Sequence, residues 1–270
     1  MARDAGLSGV AITDHDTVAG LEEALAAGEK YGIRVIGGVE ISTMAEGREI
    51  HVLGYGFDAG DPLFLERLAS LREARNRRND RMIERLNELG IPITLQEVHQ
   101  AAAASPGKGG TIGRPHIAEV LVRKGYATDF RDAFDRYLKQ GAAAYVQVQR
   151  ISPAEAVQWI HEAGGTAIIA HPGLYGLDRL VQELLENGAD GLEAFHSDHD
   201  DDAQRHYQAM AESRGKLVTG GSDFHGSMHG NLYHGPVGNR TVDVSVMDQL
   251  LAARPMRPRS SPAKGSSLSF

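Results

Sequence analysis

Alternating strand and helix segments along the 270 residues predict an α/β fold on a largely parallel sheet, open or closed into a barrel. Three observations carry this reading. Short apolar runs of strand length are each followed by an amphipathic stretch. The same alternation returns after a long helical interlude. Ligand-type polar residues stand at the C-terminal ends of several runs, the edge at which α/β proteins bind.

In chain order, GVAIT (9–13) reads as a buried parallel strand. Residues 18–31 are rich in Ala and Glu and read as a helix ended by Gly32. RVIGGVEI (34–41) and EIHVLGY (49–55) read as the next strands, with Gly47 suiting a hairpin between them. The pattern then turns helical over 62–89, 95–104, 114–124 and 129–139, with loops such as SPGKGG (105–110) between. This segment, 62–148, is predicted to be a helical insertion dividing a main domain into 1–61 and 149–253. Alternation resumes with a helix at 153–163, the strand TAIIA (166–170), a helix at 177–187, the strand GLEAF (191–195), a helix at 201–214 and a strand from Lys216. The Pro-, Ser- and Arg-rich stretch 254–270 is expected to be a disordered tail. Residues 2–7 read as the end of a helix before the first buried strand, the look of a barrel whose first strand is missing.

Composition removes several classes of function. A net charge of −8 argues against stable, sequence-independent binding of duplex DNA. No apolar run reaches membrane-spanning length, and no signal-peptide core follows Met1. The absence of cysteine excludes disulfides, thiolate metal sites and a cysteine nucleophile, and makes a cytoplasmic location the default.

The chemistry sits at the strand ends. Asp14-His15-Asp16 follows GVAIT, Glu40 lies in GVEIS, His171 in AHPG follows TAIIA, and Asp223 and His225 close GGSDFH. His51 lies inside the third strand. Imidazole and carboxylate without thiolate suit Zn²⁺, Mn²⁺ or Fe²⁺. Several together suit two or more ions about 3.5–4 Å apart, which would activate a water and neutralise phosphoryl oxygens. Taken singly, each residue has a plainer reading. A lone strand histidine is more often a satisfied core residue, and Asp16 suits the N-cap of the following helix. Glu40 between Val39 and Ile41 is harder to explain, because a buried charge is costly without a partner. The coincidence of all these residues with strand ends favours a metal site.

Other positions are less specific. His196 follows GLEAF and can reach the same cleft. His99, His161 and His206 fall on helices and are expected to be solvated. His229 and His234 lie in a Gly-rich loop that suits a flap or a plain surface loop equally. Arg72, Arg75, Arg77, Arg78, Arg81 and Arg85 share one helix, read mainly as a solvated face with Glu73 and Glu84 as local partners. Arg114-Pro115-His116 suits a phosphate contact at a helix start, or an ordinary helix start.

Together, TDHD, GVEIS, EIHVLGY, AHPG and GSDFH resemble the PHP (polymerase and histidinol phosphatase) superfamily over about residues 1–240. The likeness is strongest to its stand-alone bacterial phosphoesterases. The resemblance implies a distorted (β/α)7 barrel of PHP type carrying a helical insertion domain. It implies metal ligands His15, Glu40, His51, His171, Asp223 and His225, with Glu40 as a bridge and His15, Glu40, His171 and Asp223 at the centre of catalysis. Arg114 and His116 match the segment that lines the family's phosphate pocket, and His196 a position near the site. Implied cofactors are divalent ions, Mn²⁺ foremost with Zn²⁺, Fe²⁺ or Mg²⁺ as alternatives, two or three per site. Implied substrates are nucleoside 3′,5′-bisphosphates or the 5′ ends of short oligonucleotides. Asp14 is expected to orient His15 rather than coordinate. The family pattern opens on a strand bearing His-x-His, which these residues lack, so a non-catalytic nucleotide- or phosphate-binding domain is the competing reading. A small-molecule phosphomonoesterase such as a histidinol phosphatase is another.

Overall fold

The computed structural model describes residues 1–104, 112–148, 150–228, 231–232 and 234–252. The expected tail at 254–270, the 105–110 loop and His229 lie outside the described residues.

Six strands form one curled sheet in the order β1 (Gly9–Ile12), β2 (Arg34–Ala45), β3 (Arg48–Tyr55), β4 (Thr166–Ile169), β5 (Gly191–His196) and β6 (Leu217–Gly221). The expected barrel is, among the described residues, a half-barrel of six strands. Its sheet is mixed rather than uniformly parallel. β2 pairs with β3, and β3 with β4, in antiparallel fashion, while the other three pairings are parallel. A two-residue turn causes the first reversal. Glu46 and Gly47 both have positive φ, 48° and 74°, the geometry whose twist matches a tight hairpin. Reversing β3 brings its beginning, where His51 lies, to the edge at which the parallel strands end.

Helices cover one face of this sheet. These are α1 (Leu21–Tyr31), α6 (Pro153–Glu162), α7 (Asp178–Glu186) and α8 (Asp201–Glu212). Their ends follow local chemistry. Ser152 and Glu155 form a capping box with Pro153 in the first turn of α6, and Asp200 caps α8 by accepting from the Ala203 N–H. α1 begins three residues later than expected, after Gly20, and ends at the left-handed Gly32. Residues 2–7 are bonded as a helix end, as expected: the Ala5 N–H donates to the Met1 carbonyl, the Leu7 N–H to Ala2 and the Gly6 N–H to Arg3, with Gly6 left-handed at φ 72°. The covered face is apolar: Val39, Ile41, Ile50, Val52, Ala167, Ile169 and Leu192 meet Ile160, Val181, Leu185 and Met210. On the inner face, Ile36, Leu53, Tyr55 and Ile168 pack against Leu250 of α9 (Ser245–Ala252). That core fills the lower part of the curl and leaves the upper edge to polar residues.

The helical segment comprises α2 (Pro62–Glu88), α3 (Leu95–Ala104), α4 (Arg114–Arg123) and α5 (Phe130–Ala133), which runs into a π turn at 134–138. A separate core of Met82, Leu86, Ile93, Val98, Ile117, Leu121 and Leu138 holds it together. α2, capped by Asp61, belongs to both cores: Phe64, Leu68 and Leu71 enter the main one, Met82, Ile83 and Leu86 the second. Between them the buried stripe is Arg75, Arg78 and Asn79. No described helix is long and apolar enough to cross a membrane.

Candidate metal centre

The strand ends converge as the sequence suggests. Beyond β1 the chain continues alongside β2. His15 bridges Glu40, the Asp16 N–H donates to the Glu40 carbonyl at 2.9 Å, and the Glu40 N–H donates to the Asp14 carbonyl at 3.2 Å. His51 stands opposite Ser42 on β3, so His51, Ser42 and Glu40 share the inner face. His171 follows β4, His196 ends β5, and Asp223 and His225 follow β6.

Six imidazoles close into a ring. Successive ring centroids are 4.9 Å apart for His15–His51, 5.1 Å for His51–His171, 5.2 Å for His171–His196, 5.7 Å for His196–His234, 5.5 Å for His234–His225 and 5.6 Å for His225–His15. Two carboxylates each meet three of them. Glu40 lies 2.7 Å from Nδ1 of His51, 3.2 Å from Nε2 of His171 and 3.5 Å from Nδ1 of His15. Asp223 lies 3.3 Å from Nε2 of His196, from Nε2 of His234 and from Nδ1 of His225.

Electrostatics follow from this crowding. Burial acts to raise Glu40, yet the facing His15 and His51 with hydrogen bonds from His171 and His51 hold it well below the usual range. Burial drives His15 down to about 3 and lowers His171. For His51 burial is overcome by Glu40 and Glu49, which push it up to about 10. Glu193, buried beneath the ring and accepting from the His171 N–H at 3.1 Å, is pushed up to about 7 by burial. Asp14 stands at the rim. Enclosure raises its pKa, and the facing His225 offsets part of the rise.

The backbone is strained at the same place. Asp16, His171 and Asp223 have φ of 55°, 27° and 50°, a left-handed region that costs most residues about 1–2 kcal/mol. His171 and Asp223 adopt it where their side chains turn to the ring, and Asp16 where its carboxylate turns to Arg75 and the Ser42 N–H.

Hydrogen bonds fix several tautomers and so divide the histidines by role. Nδ1 of His234 meets Asp198 Oδ2 at 2.6 Å, the carboxylate–imidazole pair that orients a ligating histidine with Nε2 turned to Asp223. His225 donates from Nδ1 to the Asp223 carbonyl at 2.9 Å. Nδ1 of His196 accepts from the Asp198 N–H at 3.1 Å, which leaves the proton on Nε2, facing Asp223. His199 is fully used by the fold: Nε2 accepts from the Gly173 N–H and Nδ1 donates to the Ala194 carbonyl.

A model of the PHP domain family matches residues 1–151. The chain belongs to the PHP domain family. It is 36% identical over 223 residues to the 5′-3′ exoribonuclease Rnm of Escherichia coli (strain K12), covering 80% of this chain and 74% of that protein. It is 35% identical over 221 residues to the 3′,5′-nucleoside bisphosphate phosphatase of Chromobacterium violaceum, covering 80% and 76%. A crystal structure from Bifidobacterium adolescentis, described as a candidate metal-dependent phosphoesterase, superposes with a TM-score of 0.84 at 33% identity over 94% of this chain and 88% of that one. These PHP relatives are phosphoesterase hydrolases.

All six residues expected as ligands, His15, Glu40, His51, His171, Asp223 and His225, therefore lie within one ring of this PHP chain, and His196 joins it. Arg114 and His116 sit beside it at the start of α4. Arg114 pairs with Glu49 at 2.7 Å, and Nδ1 of His116 accepts from the Gly113 N–H, leaving the Nε2 proton to donate. Several expectations need correction. Asp16 does not cap α1. It is buried, pairs with Arg75 at 2.7 Å and accepts from the Ser42 N–H at 2.8 Å, tying α2 to β2. Arg75 and Arg78 are buried rather than solvated, because they fill the stripe between the two cores of α2. His161 is not simply solvated either. It pairs with Asp190 at 2.8 Å. His234 is a ring member, not a plain loop residue. Glu49 was legible only as a strand start, yet it joins Arg114, Arg150 at 2.6 Å and Nε2 of His51 at 3.5 Å.

Proposed function

We propose that this chain is a metal-dependent phosphoesterase that hydrolyses nucleoside 3′,5′-bisphosphates or the 5′ ends of short oligoribonucleotides. The observation that carries this reading is the closed ring of six imidazoles around Glu40 and Asp223, with an arginine-lined helix start beside it.

The residues fit divalent ions. Nδ1 of His171 is buried without a hydrogen-bond partner, and Nε2 of His51 has only Glu49, at 3.5 Å. Donor-type atoms of His15, Glu40 and His51 lie within 4.8 Å of one another, and Asp223 and His234 form a second such group beside the protonated Nε2 of His196. Separations of 2.7–3.5 Å around Glu40 suit donors sharing a centre at bonds of about 2.0–2.2 Å. The donor set is nitrogen and oxygen alone, which suits Mn²⁺, Zn²⁺ or Fe²⁺. His15, Glu40, His51, His171, Asp223, His225 and His234 would hold such ions, with Glu40, which meets three of the imidazoles, placed to serve more than one. Bound there, such ions supply Lewis acidity and acidify a water.

The chain's own residues do the rest. Glu193 holds the His171 backbone from below, and Asp198 orients His234. His196 keeps a proton on Nε2 against Asp223, so it orients that carboxylate rather than ligating. Arg114 and His116 present N–H donors to a phosphate at the start of α4, where the helix dipole also favours an anion. We take segment 62–148 as the cap that brings these donors over the centre. The likeness to the exoribonuclease and the bisphosphate phosphatase supports nucleotide substrates over smaller phosphomonoesters.

The test is phosphate release from adenosine 3′,5′-bisphosphate and from a 5′-phosphorylated oligoribonucleotide, with and without Mn²⁺. Turnover abolished by EDTA and restored by Mn²⁺ is expected. Binding of nucleotide without release of phosphate or nucleotide under saturating Mn²⁺ would return the chain to a binding role.

A further inference from the structure

The two halves of the histidine ring stand on different supports. Glu40 and His51 belong to the paired strands β2 and β3, and His15 bridges Glu40 alongside them. His171 follows β4 directly, where the Ala170 N–H donates to the His51 carbonyl at 3.1 Å and Glu193 accepts from the His171 N–H. Hydrogen bonds of the sheet thus fix the Glu40 half. Asp223, His225 and His234 all lie beyond the end of β6, on connecting segments.

A set of ties outside the ring holds those segments. The Ser222 carbonyl, next to Asp223, accepts from the Ser197 hydroxyl at 2.7 Å and from the Gly235 N–H at 3.3 Å. The Ser197 hydroxyl also lies 3.1 Å from the Asn239 side-chain oxygen. Gly235 has no room for a side chain: a β-carbon there would overlap Ser197 Oγ and Asn239 Nδ2. Arg240 gives all three guanidinium nitrogens to main-chain carbonyls. Nε donates to His196 at 3.1 Å, Nη2 to His199 at 3.5 Å and Nη1 to Asn239 at 3.0 Å. It thereby closes the turn 196–199, in which the His199 N–H also donates to the His196 carbonyl at 3.1 Å. Asp198 stands inside that turn. Its N–H fixes the tautomer of His196, and its carboxylate orients His234. A continuous path therefore runs from Arg240 through the turn to Asp198, His234 and Asp223.

We propose that residues 234–240 are a clasp, with Ser197, Gly235 and Arg240 as positioning residues, that assembles the Asp223 half of the centre. This half takes up its divalent ion separately from the Glu40 half and more weakly. Two physical reasons set that order. Donors on paired strands are pre-organised, whereas donors on loops give up part of their binding free energy to ordering. Around Asp223, moreover, His196 turns a proton rather than a lone pair toward the carboxylate, so fewer donors remain than around Glu40. The inference rests on the metal-dependent reading and deepens it: occupancy of one half of the centre depends on groups that touch no ion.

The test titrates Mn²⁺ into the full chain stripped with EDTA, by calorimetry and by the electron paramagnetic resonance signal of free Mn²⁺, so that turnover is not the readout. Wild type is expected to bind in two classes. Ser197→Ala, Gly235→Ala and Arg240→Gln should each weaken the second class by about ten-fold or more and leave the first within about two-fold. Arg240→Lys, which reaches one carbonyl where the guanidinium fork reaches several, should fall between. Arg34→Gln, which removes a surface ion pair to Asp248, should change neither class. A general loosening of the fold would weaken both classes together, so the split between them is the diagnostic. Equal weakening of both classes, or unchanged affinity in the Ser197 and Arg240 variants, overturns the clasp, as does a single class in wild type. If Gly235→Ala fails to fold, the other two positions decide. Mn²⁺-dependent phosphate release without the split keeps the phosphoesterase reading and loses the clasp. Two-class binding with the expected split but no phosphate release does the reverse.

Discussion

The pairing of Asp16 with Arg75 allows a quantitative test of how the site is held. Asp16→Asn keeps the shape, the tolerance for φ of 55° and an acceptor for the Ser42 N–H, but removes the charge facing Arg75. Both side chains are buried, at 1% and 7% exposure, so water cannot replace the lost partner. Removing one member of a buried ion pair costs about 3–5 kcal/mol. The middle of that range, about 4 kcal/mol, is the expected loss. For a chain of this size each kcal/mol shifts the melting temperature by about 2–4 °C, which gives a fall of about 8–16 °C. Asp16→Asn combined with Arg75→Met removes both charges and should recover at least about 1.5 kcal/mol of the loss. Denaturant titration and calorimetry of the four proteins measure the cycle. A single variant within about 1 kcal/mol of wild type, or a double variant no more stable than the single, would refute the argument that this pair anchors α2 to β2.

Three further outcomes follow from the same geometry. Asp198→Asn removes the carboxylate that orients His234 and should weaken Mn²⁺ binding by about 10–100-fold in a calorimetric titration, with the melting temperature nearly unchanged. Glu49 has its pKa held well below the usual glutamate range: burial acts to raise it, but Arg114, His51 and Arg150 prevail. A depressed folded pKa gives stability that is present above the unfolded value and lost as pH falls through the folded one, so Glu49→Gln should melt with a shallower loss than wild type below about pH 4.3. In the fully buried stripe of α2, Leu68→Ala should cost about 2–5 kcal/mol, whereas Arg77→Gln on its exposed face should stay within about 0.5 kcal/mol; equal effects would contradict the assigned faces.

Much of the site was legible because each ligand type stood at a strand end, where a parallel sheet gathers side chains from distant sequence. His15, His171, Asp223 and His225 followed that rule directly, whereas Glu40 lies inside β2, which runs on to Ala45. The strand direction of β3 was not legible, because the reversal depends on a two-residue turn whose Glu46 takes a positive φ that its residue type does not announce. Asp16 misled for a local reason: a carboxylate before a helix suits a cap, and only the tertiary position of Arg75 shows that it is engaged elsewhere. His234 lay in a Gly-rich loop without periodicity, so nothing in its neighbourhood fixed its direction. The arginines of α2 did carry a signal. Positions 64, 68, 71, 75, 78, 82 and 86 form one helical stripe, and the change from apolar to Arg and back marks where that helix passes between its two apolar cores. Read as charge alone, it looked like a solvated face.

The single rod that runs through both cores sets the mechanics of the molecule. Its 27 residues span about 40 Å and, after Pro62, contain neither proline nor glycine. Sharp helix bends arise at such residues, so this one has no built-in joint. The two cores it joins are therefore held at a fixed spacing, like the jaws of a caliper rather than the leaves of a hinge.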